Sequence, residues 1–558
     1  MDNDIEGSKI ADLLFPNVKT SVDFYEGKYP ERKIAKIAKV TRFGPSPTGF
    51  LHIGSLFSAL VSERLAHQSD GIFFLRIEDT DKKREVENGV KGITLALSRF
   101  NIVIDEGFDG NNVEYGEYGP YKQSERREIY HVFIKYLIAK RYAYPCFCSP
   151  EELEATHKIQ EIQKIRPGYY GEWAVHKKIT FEEISKNISE GKSFVIRLKS
   201  DGSELNKMIF TDLIKGEVTL TENDLDVILL KTDGLPTYHF AHVVDDHLMK
   251  TTHVIRGDEW LSSLPIHLQI FKYFEWEAPF FGHISPILKM DDGSKRKLSK
   301  RKDPEAAIDY YLEQGYPVNA VIEYLLNIAN SDFEDWRRKN PTLPSDQFKI
   351  LLEKFSKSGA LFDITKLSDT SKEIISLLSV DEMYNLIINW TNIYDKRLEN
   401  ILSKNSEYTK NILSIERNNE KPRKDISKWL EVKENIYYFF NDLFDEHTST
   451  TPIVFPELIS KENVKKIILS YIEFYDESQN KQEWFESLKN FAEKYDFARD
   501  IKIYKQNPAL FNGHVGDVAM IIRIALTGKT KTLDLFEMMR VMGKDFVVSR
   551  LTNSVNKI

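Results

Sequence analysis

The run Arg42-Phe-Gly-Pro-Ser-Pro-Thr-Gly-Phe-Leu-His-Ile-Gly-Ser55 restricts this chain more than any other stretch. An apolar segment, Ile37-Ala-Lys-Val-Thr41, precedes it, and Leu56, Leu60, Val61 and Leu65 follow at helical spacing. The pattern predicts a strand, a rigid turn and a helix start. Pro45 and Pro47 fix φ and remove donors, while Gly44, Gly49 and Gly54 permit close approach to the backbone. A helix N-terminus behind such a turn is a site for phosphate. It is not a P-loop, because Phe50-Leu51 stand where Lys-Ser/Thr are required. The five-residue glycine spacing also excludes the dinucleotide fingerprint.

Gly71-Ile-Phe-Phe-Leu-Arg-Ile77 reads as a second strand and ends in Glu78-Asp-Thr-Asp81. Strand, helix and strand in this span predict a βαβ unit and a parallel sheet, with ligands collecting past the strand ends. Asp79 and Asp81 are equally suited to capping an amphipathic segment at Val86–Phe100. The segment before residue 38 predicts a short helix at Ala11–Phe15 and a turn at Tyr25–Pro30, packed on the domain that follows. From Tyr142 to about Leu230 the strands look antiparallel, as in Ser193–Lys199 and the hairpin Lys207–Leu220, so the βαβ domain is interrupted by a module. Val227–Leu230 is a buried-strand run, and Arg256 follows a short strand in Val254-Ile-Arg-Gly-Asp-Glu-Trp260. Tyr238, His242 and Arg256 suit a small anionic pocket. Six of the eight residues from Lys295 to Lys302 are basic, a pattern that fits a solvated loop or a polyphosphate-stabilising one.

Beyond residue 304 the pattern is almost wholly helical, for example at Ala306–Leu312, Ser345–Phe355, Val380–Trp390, Ile426–Phe440 and Lys461–Glu473. A helix closed by Gly528 and a last one at Leu533–Met542 end the chain. The length, 558 residues, suggests about three or four domains. The net charge of −8 does not advertise a nucleic-acid binder, but local patches decide phosphate contact. No apolar stretch spans a membrane, no signal-peptide pattern begins the chain, and two cysteines give no disulfide framework. A cytoplasmic protein is expected. Cys146 and Cys148 lack obvious partners; His157 or His176 with Tyr169 or Tyr170 complete a zinc site poorly, so zinc is not expected and two buried thiols are.

Leu51-His-Ile-Gly-Ser55, Arg76-Ile-Glu-Asp-Thr80 and Lys297-Leu-Ser-Lys-Arg301, with Thr237-Tyr-His and Val254–Trp260, resemble the motifs of class I aminoacyl-tRNA synthetases, nearest to the bacterial glutamyl enzymes. The resemblance implies a Rossmann-type α/β parallel-sheet catalytic domain with an α+β insertion, followed by an all-α C-terminal anticodon-binding half. The division it suggests is an extension at 1–37, catalytic halves at 38–130 and 231–303, an acceptor-binding insertion at 131–230, a stem-contact region at 304–370, and helical anticodon-binding regions at 371–500 and 501–558. It implies ATP-driven activation of glutamate and transfer to tRNA(Glu), with tRNA(Gln) left open.

By the same resemblance, His52, Lys297 and Lys300 carry catalysis. Ser46, His52, Gly54, Trp260 and Lys300 hold ATP. Arg42, Ser46, Glu78, Tyr238, His242 and Arg256 hold glutamate. Mg²⁺ arrives with ATP, no metal site is built from the chain, and a monomer is implied. Ser55 ends a motif that closes in His across the family, and His242 stands where relatives carry Asn. The zinc-binding relatives have a third cysteine near Gly171–Trp173, which is absent here. The segment after Phe362 lacks the Trp-Met-Asn run of better-known members. A glutaminyl enzyme fits less well, because that family carries a Pro-Glu-Pro-Asn type run at the position of Gly44–Thr48. A catalytically silent tRNA-binding paralogue is the reading from another class.

Overall fold

The computed structural model describes every residue except Met1, Phe50, 83–85, Asn418 and Leu458. Phe50, part of the 44–54 loop expected to face ATP, therefore lies outside the described residues. The chain divides into two compact units, residues 1–311 with 322–363, and residues 312–321 with 364–558.

In the first unit the expected βαβ element forms. Strands Val40–Phe43 and Ile72–Leu75 run parallel, with Val40 opposite Ile72 and Phe43 opposite Leu75. Every residue of the first strand is buried, Thr41 and Arg42 included, as expected of a parallel strand covered on both faces. Helix Ile53–His67 connects the two strands. Gly71 has no room for a side chain, since a Cβ would stand 2.0 Å from the Lys39 carbonyl oxygen. A second parallel pair, His253–Gly257 with Phe280–Ile284, continues the architecture after the interruption. Thr252 donates from its backbone N to Val40 O at 3.0 Å, and Val40 N donates to Thr252 Oγ1 at 2.8 Å. Arg256 thus lies within its strand rather than after it.

The interruption is antiparallel, as expected. Ala143–Cys146, Val195–Leu198 and Ile228–Leu230 form one small sheet. Lys207–Asp212 and Gly216–Thr221 form the hairpin, with Lys207 opposite Thr221. The N-terminal reading needs two corrections. The first helix is longer, Asp2–Leu14, and it packs so closely on helix Arg127–Ala139 that a Cβ on Gly7 would lie 2.2 Å from Ala139 O. The expected turn at Tyr25 is instead helix Val22–Lys28, capped by Ser21, whose Oγ accepts from Phe24 N.

Ser345–Phe355 is not a helix. It holds only short 3₁₀ turns at Ser345–Gln347 and Leu352–Lys354. Its backbone is satisfied from outside: the Gln68 side chain donates to Phe348 O at 2.6 Å and accepts from Ile350 N at 3.0 Å. That takes away the incentive for i→i−4 bonding. Ala306–Leu312 is divided into a 3₁₀ turn, Pro304–Ala306, and a helix beginning at Ile308.

The second unit is helical around one apolar core containing Met383, Ile387, Leu402, Tyr471 and Ile521. Val380–Tyr394, Lys461–Phe474 and Val515–Thr527 match the expected helices. Gly528 closes the last of these with φ 74°, a conformation that favours glycine. Ile426–Phe440 is broken into short pieces, Trp429–Glu431, Val432–Ile436 and Tyr437–Phe439. Its Tyr437, Tyr438 and Phe439 are all buried, so no single face could serve a regular helix. Leu535–Met542, expected as the last helix, is followed by a further one, Lys544–Val555, that sequence reading missed. Among the described residues no helix is long and apolar enough to cross a membrane.

Candidate active site

The strand ends of the first unit open into a cavity of about 1240 Å³. Nearly all the residues singled out from the motifs line it: Arg42, Ser46, His52, Gly54, Glu78, Tyr238, Arg256, Trp260, Lys297 and Lys300. His242 is the exception. It is fully buried and lies one layer behind, its ring stacked on Tyr238 at a centroid distance of 5.4 Å. Tyr238 in turn packs against Trp260 at 4.0 Å.

Arg42 reaches the cavity from the first strand, and Arg76, just past the end of the second, lies behind it. Arg42 donates through Nε to Asp246, 3.2 Å from Oδ1. Arg76, fully buried, donates through Nη1 to the same oxygen at 2.6 Å and through Nη2 to Glu78 Oε1 at 3.1 Å. The arginines hold Asp246 well below the usual carboxylate range against the opposing effect of burial. Burial pushes the Glu78 carboxyl up, against the pull of Arg76 and Arg42. His242 Nδ1 lies 2.5 Å from Asp246 Oδ2, which looks like an ion pair. Burial nevertheless lowers the imidazole to about 3. We read the contact as a neutral imidazole donating to a charged carboxylate, because two arginines already compensate Asp246. Arg42 Nη2, 3.4 Å from that same protonated nitrogen, is then in contact without bonding.

Behind this cluster Asp245 accepts from Arg126 Nε at 2.7 Å, from Tyr130 OH at 2.8 Å and from Gln123 Nε2 at 2.8 Å. Sequence reading passed over Asp245 and Asp246, although two adjacent acids directly after the apolar run Phe240-Ala-His-Val-Val are an available signal. Asp79 caps no helix; its carboxylate accepts from Ser124 N at 2.8 Å and Oγ at 2.5 Å. The helix it was weighed against begins at Gly89 behind Asn88, with no side-chain cap.

Across the cavity His52 caps helix Ile53–His67 by accepting from Gly54 N at Nδ1, 2.9 Å away. Burial, then the nearby Lys300 and Lys297, lower this imidazole from its usual range. The basic loop is anchored by Asp303, which takes Arg296 through both terminal nitrogens at 2.6 and 2.8 Å and accepts from Ser299 N at 2.9 Å. Arg296 is thereby used structurally, and Lys297 and Lys300 are the loop cations that line the cavity. Burial lowers Lys300. Lys297 Nζ lies 3.5 Å from Glu259 Oε2.

The cysteines sit apart from this cavity, in the insertion. Cys146, Cys148 and His176 bring their donor atoms within 4.8 Å of one another, and the Tyr169 hydroxyl lies 3.4 and 3.6 Å from the two sulfurs. The contact with Cys148 and those with His176 and Tyr169 pull the Cys146 thiol down. Cys146 is buried and Cys148 partly so. Among the described residues the cluster gathers three of the four N or S ligands that a zinc site wants, with the Tyr169 hydroxyl beside them.

Two family models match the chain. One, "tRNA synthetases class I (E and Q), catalytic domain", covers residues 39–369, and the other, "Anticodon binding domain", covers residues 397–555. The glutamate–tRNA ligase of Clostridium perfringens strain 13 is 49% identical over 542 residues, spanning 97% of this chain and 99% of that protein. The glutamate–tRNA ligase of Sorangium cellulosum is 40% identical, spanning 97% and 99%. A crystal structure of a glutamate tRNA ligase from Elizabethkingia meningosepticum in complex with its amino acid superposes with a TM-score of 0.74 at 28% identity, covering 93% of this chain and 99% of that one. With its catalytic match placed over the sheet and cavity just described, and its anticodon-domain match over the helical unit, the chain belongs to the class I tRNA synthetases of the glutamate and glutamine group.

Proposed function

We propose that the chain is a glutamate–tRNA ligase, and that the cavity holds glutamate and ATP together. The carrying observation is one of charge. Two guanidinium groups, Arg42 and Arg256, line the cavity, and of the four acids that line it with them, Glu78, Asp81, Asp233 and Glu259, Glu78 stands within the electrostatic reach of Arg42. Glutamate presents the complement, two carboxylates and one ammonium. Arg42 and Arg256 pair with the carboxylates in the planar geometry suited to guanidinium, Glu78 accepts from the ammonium, and Tyr238 and Ser46 wall the pocket. An ammonium beside Glu78 restores the charge that burial disfavours. Glutamine would leave one guanidinium facing an amide that cannot pair with it as an anion, on the order of 2–4 kcal/mol worse.

A glutamate carboxylate oxygen attacks the α-phosphorus of ATP, and the bond to the departing pyrophosphate breaks. Lys300 and Lys297 stabilise negative charge on the phosphates as it develops. His52 holds the loop and helix start by its cap to Gly54 and borders the nucleotide with Trp260. The terminal ribose hydroxyl of tRNA then attacks the acyl carbon and releases AMP. The protein's contribution is orientation and electrostatics rather than covalent chemistry. Mg²⁺ would enter with ATP, neutralising phosphate charge.

The insertion, 131–230, would take the acceptor end, residues 304–370 the stem, and 371–500 and 501–558 the anticodon, through local basic patches and stacking. A monomer working in the cytoplasm is the accompanying reading. Cys146, Cys148 and His176 would supply three ligands of a tetrahedral structural zinc, with the Tyr169 oxygen beside them to complete it; such an ion would brace the insertion and take no part in the reaction. His242 supports Tyr238 and Arg256 from behind rather than touching the amino acid.

The experiment is charging of tRNA(Glu) and tRNA(Gln) transcripts side by side with labelled glutamate and labelled glutamine. Acid-precipitable glutamyl-tRNA is expected. Glutamine transferred in its place would overturn the assignment, and the second transcript shows whether tRNA(Gln) is also a substrate.

A further inference from the structure

Arg256 is buried, yet among the described residues its partners are uncharged. Nε donates to His283 Nε2 at 3.1 Å. Nη1 has Tyr238 OH at 3.3 Å, His242 Nε2 at 3.3 Å and His267 Nδ1 at 3.2 Å around it. Nη2 has only the Trp260 carbonyl oxygen, at 3.5 Å. Of the other buried arginines in this unit, Arg42, Arg76 and Arg126 are held by carboxylates, whereas Arg197 donates to the Asp226 backbone oxygen.

The contact with His283 has one reading in protons. A guanidinium has no acceptor, so His283 Nε2 must be bare and the ring proton must sit on Nδ1. That proton points to Asp212 Oδ2, 2.6 Å away. Asp212 is fixed in turn: its Oδ1 accepts from Ile214 N at 2.9 Å, Lys215 N at 2.8 Å and His283 N at 3.2 Å. Asp212 closes the first strand of the insertion's hairpin, whereas His283 and Arg256 stand opposite each other on the parallel strands behind the cavity. Asp212 is 2% exposed and His283 0%.

We propose that Asp212 and His283 are positioning residues that aim Arg256 at the substrate carboxylate. The inference rests on the reading of Arg256 as a carboxylate ligand of glutamate. A carboxylate on Nε would be the stronger grip, but it would neutralise the guanidinium. A neutral imidazole held in one tautomer fixes the plane of the group and leaves its charge for the ligand. Asp212 sets the tautomer and never touches the arginine. The same logic recurs at Nη1, where Asp246 holds His242 with its Nε2 toward Arg256, so two Asp–His pairs from different parts of the chain grip one side group.

Two substitutions separate positioning from plain packing. In His283→Asn the amide nitrogen replaces Nδ1 and keeps the bond to Asp212, but nothing reaches Arg256. In His283→Gln the longer side chain puts an oxygen near the place of Nε2. Both are made in the full chain, and KM for glutamate, KM for ATP and kcat are measured in tRNA charging, with thermal melts as a check on folding. H283N is expected to raise KM for glutamate at least tenfold, with KM for ATP and kcat within threefold, and H283Q to recover most of the loss. A glutamate KM within threefold in H283N, or KM values for glutamate and ATP rising in step, overturns the pair. If H283N does not fold, H283Q decides: a glutamate KM raised more than tenfold with an intact melt overturns it, and a smaller rise supports it. Failure of the variants alone leaves wild-type charging intact, whereas a wild-type chain that charged no glutamate would remove the underlying reading as well.

Discussion

A methyl group on Gly44 would stand 2.3 Å from Glu78 Oε1. The first motif glycine is therefore matched to an acidic side chain just past the end of the neighbouring strand rather than to the turn alone. Gly44→Ala should push the Glu78 carboxylate off Arg76 while leaving the backbone intact, because the clash falls on the end of a side chain. The expected result is a fall in kcat/KM for glutamate on the order of 10–100-fold, about 1.4–2.7 kcal/mol, with the melting temperature little changed. Unaltered charging kinetics would show that Glu78 does not contact the amino acid.

Lys300→Ala should act on the reaction and not on glutamate affinity. It removes a cation from where charge develops, so kcat should drop by roughly 10²–10³ while KM for glutamate holds. Pre-steady-state formation of glutamyl-adenylate in the presence of tRNA is the direct measurement, and an unchanged rate would take Lys300 out of the mechanism.

The pH dependence of stability offers a check outside the cavity. His67 is raised to about 9, chiefly by Asp105 and then Glu63, with the ring 2.9 Å from Asp105 Oδ2. Its folded value exceeds the unfolded one of about 6.5. The stabilisation is thus fully present below about pH 6.5 and disappears as the pH rises through about 9. His67→Gln should cost roughly 1 kcal/mol at pH 6, in keeping with a partly exposed pair, and almost nothing at pH 10. Denaturant melts at the two pH values test this; an equal loss at both would assign the effect to packing.

Metal analysis of the purified chain tests the cysteine cluster. About one zinc per chain is expected, lost on Cys148→Ser. Stripping it should lower the melting temperature of the insertion while leaving ATP affinity near its original value. A zinc-free, fully stable protein would leave the four groups as a hydrogen-bonded cluster.

Motifs from one continuous stretch were legible, and partners from distant ones were not. Pro45, Pro47, Gly49 and His52 constrain their own backbone, so the strand–turn–helix at 40–67 could be read directly. The bonds that make it a site join Arg42 to Asp246 across 204 residues and Arg126 to Asp245 across 119. No periodicity encodes such pairings. Ser345–Phe355 misled because apolar spacing says nothing about a remote Gln68 that satisfies the backbone. Tyr25 misled for the opposite reason, since Ser21 was an available cap that went unused. The neighbours of His242 in sequence pointed it to the pocket wall, but its depth behind Tyr238 depends on helix rotation, which one motif residue cannot fix. His176 lies 28 residues from Cys148, and only the fold of the intervening loop brings it back to the thiols.

The same long-range pairs impose an order on synthesis. Arg42 and Arg76 emerge from the ribosome long before Asp246, which follows them by 204 and 170 residues. Until it arrives, burying Arg42 would strand a charge in an apolar interior, at a cost of several kcal/mol, and Arg76 would have only Glu78 to answer it. The first half of the sheet therefore cannot close on its own. It must wait, open, while the entire insertion is made, and a nascent chain stalled within that interval is a natural client for a chaperone.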